Sequence, residues 1–172
     1  MIVTALSGQE DYLTDYNIIE RKKAVNGDYY LSFIVYQTER NKHSFPLVAE
    51  DSIIEFEGYK YRIKKIREYM QGNTHVKEIK QCAHVFFDII EDYQYNVLHG
   101  TINIAQAVNH IFSVTGWTCI IQGAFNSVRF ENFGDSYALD LFKTLLNRYG
   151  AEFEFTGETQ ITLKNQIGTI RD

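Results

Sequence analysis

The sequence predicts an α+β fold: a β-rich, barrel-like N-terminal half followed by a helix and two αββ units. Three observations predict it. Turn-forming pairs such as Asn26-Gly27, Glu57-Gly58 and Gly72-Asn73 punctuate runs of alternating apolar residues in the first half. From Cys82 onward the apolar period lengthens toward 3.6. Two helix–glycine–hairpin units then recur with one offset of 34 residues, Gly116 matching Gly150 and Gly123 matching Gly157. The change of period divides the 172 residues into a β part, 1–82, and an α+β part, 83–172, with the repeated units near 101–131 and 135–165.

Asn26-Gly27-Asp28 is a hairpin signal, because type I′ turns need positive φ, which Asn and Gly tolerate. In Tyr29 to Tyr36, Leu31, Phe33 and Val35 take one face and Tyr30, Ile34 and Tyr36 the other. A strand apolar or aromatic on both faces needs cover on both sides, which suits a small barrel or sandwich. After a loop from Glu39 to Asp51, a second hairpin places Ile54 and Phe56 before Glu57-Gly58 and Tyr59, Tyr61 and Ile63 after it. Lys60, Arg62 and Lys64 alternate with these, the pattern of a half-exposed strand. Gly72-Asn73 turns the chain into a third strand, about Thr74 to Gln81.

Val85, Phe86, Ile89, Ile90 and Tyr93 form one stripe of a short helix, and Glu91 to Gly100 reads as a polar connection. The repeated helices carry Ile104, Ala107, Val108, Ile111 and Phe112, then Ala138, Leu141, Phe142, Leu145 and Leu146, both following the i, i+3, i+4, i+7, i+8 rule. Thr101 or Asn103 is positioned to cap the first helix and Asp135 or Ser136 the second, with Gly116 and Gly150 as left-handed C-terminal residues. Each unit then spends its second half in strands, so a helical solenoid is excluded and the apolar helix stripes are expected to pack against sheet.

Net charge of −5 gives no sign of a general nucleic-acid binder. No run approaches the roughly 18 apolar residues of a membrane-spanning helix, so no membrane span is expected. The start lacks the basic and apolar regions of a signal peptide, and Cys82 and Cys119 do not make a disulfide framework. Aromatic residues make up 15%, a richness that suits strands and contact surfaces.

Chemistry-bearing groups are sparse. Cys82, His84 and Asp88 are the best metal or catalytic candidate, because His84 and Asp88 stand four apart on the expected helix, yet no CxxC or HExxH accompanies them. Half-buried histidine is the simpler reading there, and His43, His75, His99 and His110 lack diagnostic spacing. Carboxylate sets such as Glu55/Glu57, Asp88/Glu91/Asp92 and Glu152/Glu154 fit exposed strand faces better than glycoside chemistry. Lys60, Arg62, Lys64, Lys65 and Arg67 read first as a solvated strand face, with edge-strand protection or polyanion binding as alternatives. Tyr12, Tyr16, Tyr29, Tyr30 and Tyr36 offer a contact surface or a sugar-stacking platform, with core packing claiming most of them. No GxSxG or phosphate-binding loop is present. No residue is therefore assigned as catalytic, cofactor-binding or metal-binding, no cofactor is expected, and the chain is read as no enzyme.

Four stretches, in order, carry a family resemblance. They are NGDYYLSFIVY (Asn26 to Tyr36), DSIIEFEGYKYRIKKI (Asp51 to Ile66), QCAHVFFDII (Gln81 to Ile90) with TGW (Thr115 to Trp117), and ALDLFKTLLNRYGAEFEFTGETQITLKNQIG (Ala138 to Gly168). With them the chain resembles the N-terminal hub region of phage and prophage tail-tip proteins, the tail-associated lysin or prophage endopeptidase tail family, similar in fold to the baseplate hub protein of contractile tails. The resemblance implies a virion structural protein of a Gram-positive host, assembled in the bacterial cytoplasm and sited at the tail tip. It implies a threefold homo-oligomeric ring closing the tail tube, with a distal tail protein and a tape-measure protein as partners and no sequence-specific contact to nucleic acid. Longer members carry a second barrel and a peptidoglycan-cleaving domain downstream. This chain stops at Asp172, so lytic activity is expected to lie outside it and a trimer is expected of the longer protein. The alternative, from another class, is a carbohydrate-binding or cell-wall-degrading module using the tyrosine-rich strands or the carboxylates.

Overall fold

The computed structural model describes residues 1–165; the last three residues of the fourth resembling stretch, Gln166 to Gly168, lie outside the described residues. Strands dominate, with the two repeated helices in the second half, an α+β architecture as expected, with three strands added to the expected order. Two units separate, Met1–Val85 and the residues from Phe86 onward.

The first unit is one antiparallel sheet of seven strands: β1 (Ile2–Thr4), β2 (Glu10–Tyr12), β3 (Tyr16–Lys23), β4 (Tyr29–Tyr36), β5 (Ile53–Phe56), β6 (Tyr59–Gln71) and β7 (Thr74–His84). Their order is β2-β1-β5-β6-β7-β4-β3. The short β1 and β2 were not visible in the sequence, being three residues each. Two of the expected turns are tight. Glu57 and Gly58 both hold positive φ (49° and 78°), which makes the β5–β6 connection a type I′ turn, and Gly72 supplies the positive φ between Gln71 and Thr74. The Asn26 turn is looser: only Asn26 is left-handed, and the loop is closed by the Ala24 N–H donating to Asp28 at 2.9 Å.

The sheet curls. Arg21 and Lys23 on the edge strand β3 reach the β5–β6 hairpin, although β4, β7 and β6 lie between β3 and β5 in the sheet order. Arg21 pairs with Glu57 and lies over the Phe56 and Tyr59 rings, and Lys23 lies 4.0 Å from the centre of Tyr59. Curling covers one face of β4: Leu31, Phe33 and Val35 are fully buried with Val3, Ile54, Tyr61, Ile63, Ile79 and Cys82. Tyr30, Ile34 and Tyr36 on the other face are only half-buried, short of the two-sided cover the sequence suggests. The loop after β4 folds over this core and inserts Phe45 and Val48. Asn41 anchors it, accepting from the Thr38 N–H (2.8 Å) and donating to the Thr14 and Tyr36 carbonyls (3.0 and 2.7 Å). Lys77 pins its other end by donating to the carbonyls of Phe45 and Val48.

In the second unit the expected short helix is a 3-10 segment, Val85–Glu91, so its buried residues fall three apart, Phe86 and Ile89, and Ile90 is exposed. The expected polar connection is instead a strand, β8 (Tyr93–Ile102). Then follow α1 (Ile104–Phe112), β9 (Thr118–Gln122), β10 (Val128–Tyr137), α2 (Ala138–Tyr149), β11 (Glu152–Gly157) and β12 (Gln160–Lys164). The αββ order recurs, but only the second pair is a hairpin. β10 pairs with β8, while β9 lies parallel to β12 in a sheet β11-β12-β9. The unforeseen β8 is the physical reason, since it supplies β10 with a partner and leaves β9 free to join the other unit's hairpin.

Caps follow the sequence in one helix and depart from it in the other. Asn103 and Gln106 form a reciprocal capping box on α1, and Gln94 donates to the His110 carbonyl near its far end at 2.6 Å. Tyr137 occupies the N-cap of α2 without a side-chain bond, in place of Asp135 or Ser136. Gly150 is left-handed (φ 61°) at the end of α2, but Gly116 does not hold positive φ, because α1 ends on Ser113 in right-handed geometry. Both helix stripes enter one core with Phe86, Phe130, Phe133, Phe153, Ile161 and Leu163, packing against sheet as expected and against each other through Phe112 and Phe142.

Candidate functional site

Cys82 and His84 project from β7 into the first unit's core. Burial pushes the Cys82 thiol well above its ordinary value. The His84 ring is buried among Tyr29, Tyr59 and Tyr61, each edge-on at 5.7–6.2 Å between centres. His84 ends a strand and Asp88 lies in the 3-10 segment of the second unit, so they do not share a helix face. Among the described residues no group of three or more His, Cys, Asp or Glu is placed to hold a metal ion.

The basic stretch lies on β6, which ladders with β7 along its length but with β5 only over Tyr59–Arg62, so Lys60 and Arg62 lie between two strands whereas Lys64, Lys65 and Arg67 lie on a part laddered on one side. A bulge at Lys65 shifts the register, so Lys64 and Lys65 are both exposed while Tyr61 and Ile63 face inward. Arg67 is within 3.9 Å of Glu78, Lys64 within 3.8 Å of Asp51, and Arg62 donates to the Asp51 carbonyl. Such internal pairing fits a solvated strand face more than an anion site. The carboxylate sets are likewise engaged: Glu57 with Arg21, and Glu154 across the β11–β12 ladder with Lys164. Asp88, Glu91 and Asp92 stand close enough that burial, then the neighbouring Glu91 and Asp88 charges, raise the Asp92 carboxyl.

The surfaces left open are sheet edges and aromatic faces. β2 and β3 end the seven-stranded sheet. β3 carries exposed Ile18 and Ile19 at a bulge, then Arg21, Lys22 and Lys23, whereas β2 carries Glu10, Asp11 and an exposed Tyr12. Of the other tyrosines singled out, Tyr29 packs on His84 and Tyr30 lies under Lys22 and bonds to Glu20, which raises its hydroxyl's pKa. Between β2 and β3, Asp15 is held below the usual carboxylate range by hydrogen bonds from Arg40 and then Thr38.

One cluster was missed. Tyr93 and Tyr95 on β8 and Tyr137 on β10 gather on one ribbon, with ring centres 4.8 Å (Tyr93 to Tyr95) and 5.0 Å (Tyr93 to Tyr137) apart. Its signal was present as the two-residue spacing of Tyr93 and Tyr95, hidden by the polar Gln94 and Asn96.

The family model of the prophage endopeptidase tail N-terminal domain matches residues 1–84, and that of the prophage endopeptidase tail domain matches residues 91–163. The structure is similar to that of prophage tail protein gp18 from Listeria monocytogenes EGD-e, with a TM-score of 0.80 and 22% identity, over 94% of this chain and 49% of that one. It is similar to the 43 kDa tail protein of prophage MuSo2 from Shewanella oneidensis (TM-score 0.59, 11% identity, 94% of this chain and 51% of that one). It is also similar to the E. coli c3393 protein (0.55, 9%, 87% and 48%), a component of the type VI secretion system with structural similarity to T4 bacteriophage tail proteins gp27 and gp5. The chain spans about half the length of each. No curated protein matches the sequence.

Proposed function

Because the chain belongs to the prophage endopeptidase tail family, we propose that it is a structural component of a phage or prophage tail, the N-terminal portion of a tail-tip hub subunit. The observation that carries this reading is that both units are matched, in chain order, by domain models of that one family. In this role the chain performs no catalysis, and any peptidoglycan cleavage belongs to residues beyond it.

The sheet edges support an assembling role. An open edge strand of eight residues with exposed Ile18 and Ile19 is a template for further pairing unless a partner covers it. Arg21, Lys22 and Lys23 on that edge are engaged within the chain by Glu57, Asp28 and the Tyr59 ring. The exposed isoleucines and the unpaired backbone, more than charge, are therefore what a second copy would meet, and a heterologous contact closes into a ring when the rotation permits. We assign the longer protein a threefold ring closing the tail tube, seated between a distal tail protein and the tape-measure protein at the tail tip.

Light scattering of the full-length protein, with co-purification against a distal tail protein, tests this. The expected result is a trimer that retains the distal tail protein through washing. A strictly monomeric full-length protein that never joins tail particles would remove the proposal.

A further inference from the structure

We propose that Tyr93, Tyr95 and Tyr137, with the carboxylate of Asp135, form a docking site for an arginine- or lysine-bearing segment of a partner protein. Tyr95 is 79% exposed and Tyr137 47%, although large rings are normally packed away. Tyr93 and Tyr137 are direct cross-strand partners, and Tyr95 lies two residues further along the same face of β8. Their planes are inclined by 51° and 86°, so the rings present π faces in different directions instead of closing on one another.

A backbone device holds the carboxylate there. β10 bulges between Gly134 and Ser136. At Gly134 (φ +148°) a Cβ would lie 1.9 Å from the Asn96 carbonyl oxygen, so only glycine permits this approach to β8. Asp135 follows at a left-handed φ of 47°, where Tyr93 Oη donates to its Oδ1 at 3.1 Å. Bulges commonly re-aim a side chain toward a functional surface.

Charge selects the occupant. Asp135 has no lysine or arginine ion-paired to it among the described residues; it precedes the N-terminus of α2, whose dipole offsets part of its charge and leaves the rest for a cation. Exposed aromatic faces beside the Asp135 carboxylate favour a cation, through both the ring quadrupole and the ion pair. A neutral sugar would stack on the rings and donate hydroxyls to Asp135 without matching its charge, so the chitotriose arm of the titration separates the two occupants. The inference does not rest on the proposed ring, and its failure would leave the tail reading untouched.

The test is NMR titration of the isotopically labelled chain with acetyl-Gly-Arg-Gly-Arg-Gly-amide, with the same peptide carrying Gln for Arg, and with chitotriose. The arginine peptide is expected to give saturable shifts at the Gln94 to Asn96 and Ser136 to Tyr137 amides that weaken with added salt. Asp135→Asn keeps the left-handed backbone and a hydrogen-bond acceptor while removing the charge, and Tyr95→Ala removes an exposed ring. Each is expected to weaken arginine-peptide binding about two- to fivefold with the remaining spectrum unchanged. Equal titration by both peptides, shifts from chitotriose alone, or no saturable shift on the ribbon would each overturn the assignment.

Discussion

Replacing Phe86 by Ala should remove the centre of the second unit's core. Phe86 is fully buried, and its ring lies 5.0 Å from Trp117, 5.2 Å from Phe142, 5.5 Å from Phe155 and 5.7 Å from Phe153. A buried Phe→Ala change costs about 3–5 kcal/mol from lost transfer and the cavity left behind. Edge-on ring pairs add roughly 0.5–1.5 kcal/mol beyond their area. The neighbouring rings come from the loop before β9, from α2 and from β11, so each is held by a different element and little collapse into the void is expected. The upper end of the range, about 4–5 kcal/mol, is therefore expected, a large share of the 5–15 kcal/mol typical of a domain. Trp117 is the single tryptophan, so its fluorescence in urea reports this unit directly. At a slope of about 2 kcal/mol per molar, the midpoint should fall by roughly 2 M. A loss below about 2 kcal/mol, or a changed slope with an unchanged midpoint, would refute the claim that this 3-10 phenylalanine organises the core.

Gly150→Ala should cost about 1 kcal/mol because φ is +61° there, whereas Gly116→Ala, with an ordinary φ and open space around it, should be neutral or slightly stabilising; equal losses in the same urea assay would contradict the unequal roles of these repeat glycines. Asn41→Ala strands the Thr38 N–H and two carbonyls and should cost about 2–4 kcal/mol, read by calorimetry of the transition assigned to the first unit; a loss under about 1 kcal/mol would show that the loop is held otherwise. Both thiols should resist a disulfide reagent at pH 8 in the native chain and react once it is unfolded, since burial raises the Cys82 thiol and pushes Cys119 up to about 12. The sign follows from linkage: the unfolded thiols lose protons near the ordinary 9.0 while the folded ones keep them, so this term lowers stability as pH rises from 9.0 toward about 12. Rapid modification of the native chain would contradict it.

What the sequence made legible were the signals that act locally. Alternation in β4, the Glu57-Gly58 turn and the stripes of α1 and α2 depend on residues within a few positions of one another, and each formed where its chemistry placed it. Pairing was not local. β8 reads as a loop because Gln94 and Asn96 are polar, yet Gln94 is buried by bonding the α1 terminus, a partner 16 residues away. The parallel union of β9 with β12 likewise depends on a distant pairing, that of β10 with β8. At the level of sites, the solvated face of β6 could be anticipated from spacing, whereas the ion pairs of Glu57 and Glu154 and the 3-10 placement of Asp88 and Glu91 could not. Of the tyrosine ribbon only the Tyr93/Tyr95 spacing was legible, because Tyr137 joins Tyr93 through a register set by the Gly134–Asp135 bulge.

Immunogold electron microscopy of tail particles from the parent phage tests the central reading most directly, using antibody raised against this chain. Label confined to the distal end of the tail is the expected result. Particles that carry no label, or carry it along the tube or on the capsid, would contradict a tail-tip hub.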